Sequence, residues 1–319
     1  MSHTTSTEPL ALAKQEWMKI FNGGPYTGLL MLEHLLNAAT KTHEQFLTDP
    51  KNSIKKATLD HVTGSDLQRL GSTWNTYAGR CTSFAVKGIS ELNAHSGAGG
   101  VPIFNFEIYD LSRHRVARCR NTGIVLDSSS TITGGAFALP EGAWARFPET
   151  NASWKFKSSE SKFERDGNVE GKIKHSSSPI TPAEAMIICL KEVEESAAKS
   201  VPTLFRSASS QSQPVFHGII VWCPKDHALE LGASTGDWRD GKKMVIQFPK
   251  YIGNPQVLDA TMVGTQDELQ ECLQQLLQFI HDYGGPHGQE QWETVSTVNT
   301  ALIQAAVNHW GMPKLRHLP

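Results

Sequence analysis

The segment Arg80-Cys81-Thr82-Ser83-Phe84-Ala85 places a cysteine at the start of a run with helical periodicity. Its apolar or small residues recur at the spacing of one helix face, at Phe84, Ala85, Gly88, Ile89 and Leu92. This pattern predicts an amphipathic helix that begins at Cys81. The first turn of a helix has unpaired backbone N–H groups and the positive end of the helix dipole, which favour a thiolate. Cys81 is therefore the candidate nucleophile.

Three strand-like runs follow this helix and a glycine-rich loop at residues 96–100. Residues 103–109 (IFNFEIY) alternate as a strand does, His114 leads the second run, and the third, residues 124–127, ends at Asp127. Asn121-Thr122-Gly123 supplies the turn that pairs the last two as a hairpin. Adjacent strands bring the imidazole of His114 within hydrogen-bond reach of Asp127. The order Cys81, His114, Asp127 thus predicts a nucleophile, a base and a carboxylate that orients the base.

This order resembles the transglutaminase-like branch of the papain-like superfamily, which includes transglutaminases and related amidases and peptidases. Arylamine N-acetyltransferases are similar in the same way. In that core a cysteine starts a helix, a histidine opens the next-but-one strand, and an aspartate ends the strand after it. The resemblance covers about residues 74–130 and departs at Val116, where the family usually has an aromatic residue, and at Gly79-Arg80-Cys81, which keeps only part of the acetyltransferase Arg-Gly-Gly pattern. It implies the fold of the core and the triad but no particular substrate.

Other residues are candidates for the same chemistry. His217 opens the strand-like run 217–222 and lies about as far after Cys81 as the histidine does in papain-type peptidases, so it is the alternative base. Trp74 and Asn75 precede Cys81 and are candidate donors to an oxyanion, beside the backbone N–H of Cys81 itself. Each also has an ordinary structural interpretation, as a strand-start residue for His217 and as packing or capping residues for the other two.

Arginines crowd the region of the candidate triad, at Arg80, Arg113, Arg115 and Arg118. They predict a site for an anionic or carboxylate-bearing substrate, or for the phosphate of a carrier, through charge-assisted hydrogen bonds. The alternative is a solvated sheet edge. An aminoacyl-tRNA donor is a minor candidate partner, because a net charge of −2 and a pI of about 6.7 argue against a general polyanion-binding surface.

Composition sets the broad class. The 319 residues are 39% hydrophobic and 19% charged, which is typical of a globular chain. Five widely spaced cysteines form no CxxC pair and predict neither a disulfide framework nor a zinc site. No phosphate-binding loop or metal-ligand spacing is evident, so we expect no metal and no cofactor. No signal core or membrane span is evident, so we expect a cytoplasmic protein without a membrane partner.

The chain divides into four predicted parts. Residues 1–64 form a helical N-terminal region, 65–155 the catalytic core, 156–179 a flexible insertion or linker, and 180–319 an α/β C-terminal part that packs on the core. The third part is rich in charge, serine and glycine, and the fourth begins at the helix-start signal Thr181-Pro182-Ala183-Glu184. The predicted fold class is α+β: an antiparallel sheet packed with helices, with a papain-like or transglutaminase-like core.

These patterns together predict cysteine-dependent acyl transfer through a thioester acyl-enzyme. The substrate would be a small-molecule or carrier-bound acyl or aminoacyl group, and the acceptor water or an amine. The alternatives are a papain-like cysteine peptidase or amidase with His217 as base, and a non-catalytic interaction protein on the same scaffold. The oligomeric state is left open.

Overall fold

A computed structural model describes residues 8–22, 24–61, 79–111, 114–128, 135–139, 142, 144–147, 152–157, 162–167, 174–175, 179–207, 216–235, 243–248, 265–283 and 288–317. Within these ranges the chain is α+β, with eight α-helices and three antiparallel sheets, as predicted. The chain divides into two compact units. The first comprises Met1–Phe21, Ser65–Cys189 and Ala208–Gln213, and the second comprises Asn22–Gly64, Leu190–Ser207 and Pro214–Pro319.

The helices are α1 (Glu8–Asn22), α2 (Leu29–Ala38), α3 (His43–Thr48), α4 (Ala57–His61), α5 (Cys81–Asn93), α6 (Pro182–Ser196), α7 (Gln266–Tyr283) and α8 (Gly288–Trp310). The predicted helix start at Cys81 is confirmed. So is the start of α6, where the Thr181 hydroxyl accepts from the Glu184 N–H at 3.2 Å and the Glu184 carboxylate accepts from the Thr181 N–H at 2.8 Å. This reciprocal pair satisfies donors that a helix start leaves unpaired.

The strands are β1 (Tyr26–Thr27), β2 (Phe106–Asp110), β3 (Arg115–Cys119), β4 (Ile124–Leu126), β5 (Ala136–Ala138), β6 (Trp144–Phe147), β7 (Ala152–Lys157), β8 (Lys162–Gly167), β9 (Lys174–His175), β10 (Val201–Ser207), β11 (Phe216–Cys223), β12 (Ala228–Thr235), β13 (Lys243–Gln247) and β14 (Lys314–His317). The three strand-like runs that follow α5 in the sequence correspond to β2, β3 and β4. Each pairs antiparallel with the next, and β5 completes a four-stranded sheet.

Both faces of this four-stranded sheet are covered. On one face Val86 of α5 packs with Ile108 of β2 and Ala185 of α6. The opposite face carries a second apolar cluster, formed by Tyr109, Leu111, Val116, Val125, Leu139 and Phe156. Because side chains alternate along a strand, every residue of β3 is buried on one face or the other. The first unit therefore buries the sheet whose strand ends carry the candidate site.

The described residues of the predicted flexible insertion, 156–179, are largely strand. They belong to a second four-stranded sheet in the first unit, ordered β6-β7-β8-β9, and the predicted boundary at residue 155 falls inside β7. Phe156 explains the difference, since it lies opposite Phe163 in the ladder and packs edge-on against Tyr109 with ring centroids 5.6 Å apart. The buried Phe156 side chain and the backbone pairing of the strands stabilise a sheet in a segment whose composition suggested a linker.

The second unit is built on a six-stranded antiparallel sheet, ordered β1-β10-β11-β12-β13-β14. The indole of Trp222 in β11 donates to the Asn299 amide oxygen of α8 at 2.6 Å, which satisfies a buried donor of the core. The predicted division differs from the observed units at two places. Residues 1–64 are split, with α1 in the first unit and α2 to α4 in the second, and the first unit extends through Cys189 rather than ending before residue 180.

Among the residues with described positions, no helix combines the length and the apolar character needed to cross a bilayer.

Candidate active site

Cys81 is the first residue of α5 and is 2% exposed. The chain enters the helix through Gly79, whose φ of +147° is a conformation that favours glycine, and through Arg80 in an extended conformation. The N–H groups of the first helical turn have no acceptor within the helix. The sulfur of Cys81 therefore lies at the end of α5 where negative charge is stabilised.

His114 and Asp127 flank the β3–β4 hairpin. His114 directly precedes β3, and Asp127 directly follows β4. The turn is closed by the Gly123 N–H, which donates to the Cys119 carbonyl at 3.0 Å, and Gly123 has a φ of +69°. Because β3 and β4 are antiparallel, the start of β3 and the end of β4 lie at the same end of the hairpin, and this brings His114 and Asp127 close together. Their side chains meet, with Nε2 of His114 2.7 Å from Oδ1 of Asp127.

The backbone holds both groups in place. The His114 carbonyl accepts a hydrogen bond from the Leu111 N–H at 2.7 Å, and the Asp127 N–H donates to the Gly135 carbonyl at 2.7 Å. The Asp127 side chain is 7% exposed and that of His114 is 23% exposed. A buried carboxylate thus holds the imidazole in place, and part of the imidazole remains exposed to solvent.

The thiol of Cys81 and the imidazole of His114 are joined by a hydrogen bond. The bond from Nε2 to Asp127 leaves the other ring nitrogen, Nδ1, for the hydrogen bond that links His114 and Cys81. Burial alone raises the pKa of the Cys81 thiol. The hydrogen bond and charge of His114, with the charge and backbone N–H of Arg115, outweigh burial and lower that pKa to about 6.

The pKa of His114 moves the opposite way. Burial alone lowers the pKa of the imidazole, but the charge and hydrogen bond of Asp127, followed by those of Cys81, raise it to about 10. Between these two pH values the pair is a thiolate and an imidazolium. Such a pair can attack a carbonyl carbon and then protonate the group that leaves.

The arginines of the predicted anion patch lie in three different environments. Arg115 has a fully buried side chain, with Nε 3.4 Å from Oδ1 of Asp110. Arg118 is 7% exposed, and its guanidinium lies 3.6 Å from the centre of the Phe156 ring. Arg80 is partly exposed beside Cys81. Arg113 lies outside the described residues. Two of the four arginines are therefore interior residues, and the anion patch stays a prediction.

The remaining candidates lie elsewhere. Trp74 and Asn75 fall outside the described residues. His217 lies on β11 in the second unit, opposite Arg206 and Ser234 in the ladder, whereas His114 is the histidine that bonds to Asp127 and to Cys81. Within the described ranges no group of three His, Cys, Asp or Glu side chains could hold a metal ion. The structure thus brings together the three residues that the sequence ranked first.

Two residues near the site were missed by the sequence interpretation. Asp110 faces Arg115 across the β2–β3 turn, and opposite charges flanking a short turn were an available signal for this pair. Cys189 of α6 is fully buried, and burial followed by the charge of Cys81 raises the pKa of its thiol to about 12. Nothing in the spacing of the cysteines indicates that Cys189 lies near Cys81, because the two are on helices far apart in sequence.

Comparison with known proteins adds no family to these observations. No family model matches the chain, and no curated protein matches it. The geometry of Cys81, His114 and Asp127 is therefore the basis for assigning a function.

Proposed function

We propose that the protein is a cysteine-dependent acyltransferase or amidohydrolase that works through a thioester acyl-enzyme at Cys81. The observation that carries the proposal is the placement of one imidazole between a buried carboxylate, 2.7 Å from Nε2, and a thiol at a helix start. Covalent catalysis by a cysteine needs the thiolate, and a neighbouring imidazolium is a group that stabilises it.

Acylation begins when the Cys81 thiolate attacks the carbonyl carbon of an amide, ester or thioester. The negative charge moves to the carbonyl oxygen, and the backbone N–H of Cys81 is one donor for that oxyanion. The imidazolium of His114 then gives its proton to the leaving amine, alcohol or thiol, and the thioester forms. Asp127 keeps the ring oriented and stabilises its charged state.

Deacylation reverses the proton transfer. Neutral His114 takes a proton from water or from an acceptor amine, which attacks the thioester and releases the Cys81 thiolate. Water as acceptor makes the protein a hydrolase, and an amine makes it a transferase that forms an amide bond. We propose a small-molecule or carrier-bound acyl or aminoacyl group as substrate. We also propose a cytoplasmic location, supported by five free cysteines that suit a reducing compartment.

The test is to trap the acyl-enzyme with p-nitrophenyl acetate as the probe ester. We expect a burst of nitrophenol and one acetyl group on the tryptic fragment 81–87, which trypsin releases by cleaving after Arg80 and Lys87. Cys81→Ala should abolish both, and His114→Ala should slow acylation by about 10²–10⁴-fold. Cys223→Ala, which removes a partly exposed cysteine of the second unit, is the matched control and should leave the burst unchanged.

Two outcomes would contradict the proposed role of Cys81 and His114. Acetylation of Cys81 at the rate of an ordinary thiol, unaffected by His114→Ala, would assign these residues to a non-catalytic scaffold. Activity that survives His114→Ala and is lost in His217→Ala would instead support the papain-like peptidase or amidase with His217 as base.

A further inference from the structure

Arg115 is a buried cation on the face of the sheet that α5 covers. Ile108 of β2 packs against Val86 of α5, and two residues further along β2 lies Asp110, which therefore has the same orientation. The ladder pairs Asp110 with Arg115, so Arg115 also faces α5. Its side chain is 0% exposed. The guanidinium thus lies in the interior between the sheet and the helix that carries Cys81.

A guanidinium keeps its charge at any pH a protein tolerates, and burying it is costly unless anions accompany it. The Asp110 carboxylate supplies one anion, with Oδ1 3.4 Å from Nε of Arg115. The thiolate of Cys81 is a second anion in the same interior. The backbone N–H of Arg115 donates to the Cys81 sulfur, and the charge of Arg115 acts on that sulfur together with His114.

We propose that Arg115 is a positioning residue that keeps Cys81 in its thiolate form, with Asp110 holding the guanidinium in place. This inference rests on the proposed function, because a permanent thiolate matters only if Cys81 is the nucleophile. The role differs from that of His114, which gives up its positive charge in each turnover. Arg115 is the cation whose charge acts on the sulfur throughout, and it makes the thiolate a better leaving group during deacylation.

Several other groups act on the thiol from the surrounding elements. They are His114 before β3, Asp127 after β4 acting through His114, and Asp110 of β2 acting through Arg115. Cys189 also lies near the site, where the charges of Cys81 and Arg80 act on its thiol. Cys189 stays protonated over the working range because its pKa is about 12. A test of Arg115 must therefore change its charge and leave this set intact.

The experiment compares Arg115→Met with Arg118→Met. Arg118 lies on the same strand, is also buried, and faces away from α5 over the Phe156 ring. The readout is the pH dependence of iodoacetamide alkylation at Cys81, followed by the mass of the fragment 81–87. Arg115→Met should move the alkylation midpoint upward by about one pH unit, a tenfold loss of thiolate on the acid side. Arg118→Met should leave the midpoint unchanged. Arg115→Lys keeps the positive charge, so its midpoint should lie close to that of the wild type.

A second variant tests the role of Arg115 if the single substitution prevents folding. Where Arg115→Met alone fails to fold, Asp110→Asn combined with Arg115→Met removes both charges of the ion pair and leaves neither uncompensated. The double variant should show the same upward midpoint. A midpoint that stays at the wild-type value in a folded Arg115→Met or double variant would overturn the role proposed for Arg115 and would leave the proposed function standing. A wild-type midpoint typical of free cysteine, unmoved by His114→Ala, overturns the proposed function instead.

Discussion

Nε2 of His114 lies 2.7 Å from Oδ1 of Asp127, although the two residues are separated by the whole β3–β4 hairpin. The contact is short for a nitrogen–oxygen pair, as expected when both partners are charged. Since the Asp127 side chain is 7% exposed, solvent weakens this contact little. The contact between His114 and Asp127 therefore determines how strongly the imidazole holds its proton.

Replacing Asp127 with asparagine should remove the negative charge that stabilises the imidazolium of His114 without changing the size of the side chain. The imidazolium loses its anionic partner, so the pKa of His114 falls and the pKa of the Cys81 thiol rises. We expect acylation by the ester probe to fall on the order of 10³-fold at neutral pH, measured as the burst rate. Glu107→Gln is the control, because Glu107 pairs with the exposed Arg120 at 3.2 Å. An equal loss of burst rate in Asp127→Asn and Glu107→Gln would mean that Asp127 only stabilises the fold and does not act on His114.

The pH dependence of the reaction follows from the two shifted groups. The pKa of Cys81 is lowered to about 6, so the thiolate accumulates as the pH rises through that value. The pKa of His114 is raised to about 10, so the imidazolium that protonates the leaving group is lost as the pH rises through that value. With an anilide as donor, whose leaving amine needs a proton, we expect a bell-shaped acylation rate with limbs near those two values. The nitrophenolate of the ester probe leaves without a proton, so its burst rate should show only the acid limb.

Alkylation of Cys81 separates the two limbs, because iodoacetamide needs the thiolate and no proton donor. Its rate should rise through the acid limb and show no loss at the alkaline limb. In His114→Ala the acid limb should move to higher pH, since burial then raises the pKa of the thiol with less opposition. A rate that follows an ordinary cysteine in both proteins would contradict the ion pair.

The elements of the candidate site were predictable because their signals are local. Helical periodicity after Cys81 and the turn at Asn121-Thr122-Gly123 are properties of short segments, and the hairpin they imply brings His114 to Asp127. The environment of Arg115 was not predictable in this way. An arginine in a short polar run suggests an exposed edge, and its burial depends on the packing of α5 and α6 against the sheet, which the run itself does not encode.

The arrangement of the larger parts was also beyond local patterns. The sequence places α1 to α4 in one region, but α1 joins the first unit, where Trp17 contacts α5 at Gly88. The sheet of β6 to β9 depends on Phe156 packing against Tyr109, a contact that composition does not encode. Such contacts between distant segments override the average character of a stretch.

Asn93, the last residue of α5, connects the helix to β2. Its amide nitrogen donates to the Phe106 carbonyl at 3.1 Å, and its amide oxygen accepts from the Phe106 N–H at 2.7 Å. Asn93→Ala should lower the free energy of unfolding by about 1–3 kcal/mol, because both Phe106 groups lose their partner. Urea denaturation measures this. Asn52→Ala, which removes exposed bonds to Asp49, should change stability by no more than about 0.5 kcal/mol.

Gly88 determines how closely α5 approaches its neighbours. A Cβ at this position would lie 2.8 Å from Cζ3 of Trp17 and 3.0 Å from Cδ1 of Leu126, closer than carbon atoms pack. Gly88→Ala should therefore destabilise the protein by about 1–3 kcal/mol, although the higher helix propensity of alanine offsets up to about 1 kcal/mol. The denaturation midpoint in urea measures the net effect.

The same substitution should also slow acylation, because Cys81 lies about two helical turns before Gly88 on the same helix. A helix that moves away from Trp17 and Leu126 carries the sulfur away from His114, and a displacement of about 1 Å can lower a rate by about 10²-fold. Gly97→Ala is the control, since its nearest neighbour beyond the adjacent residues is Cγ1 of Ile103 at an ordinary 3.5 Å. A Gly88→Ala protein with wild-type stability and burst rate would show that α5 can shift without moving Cys81 relative to its base.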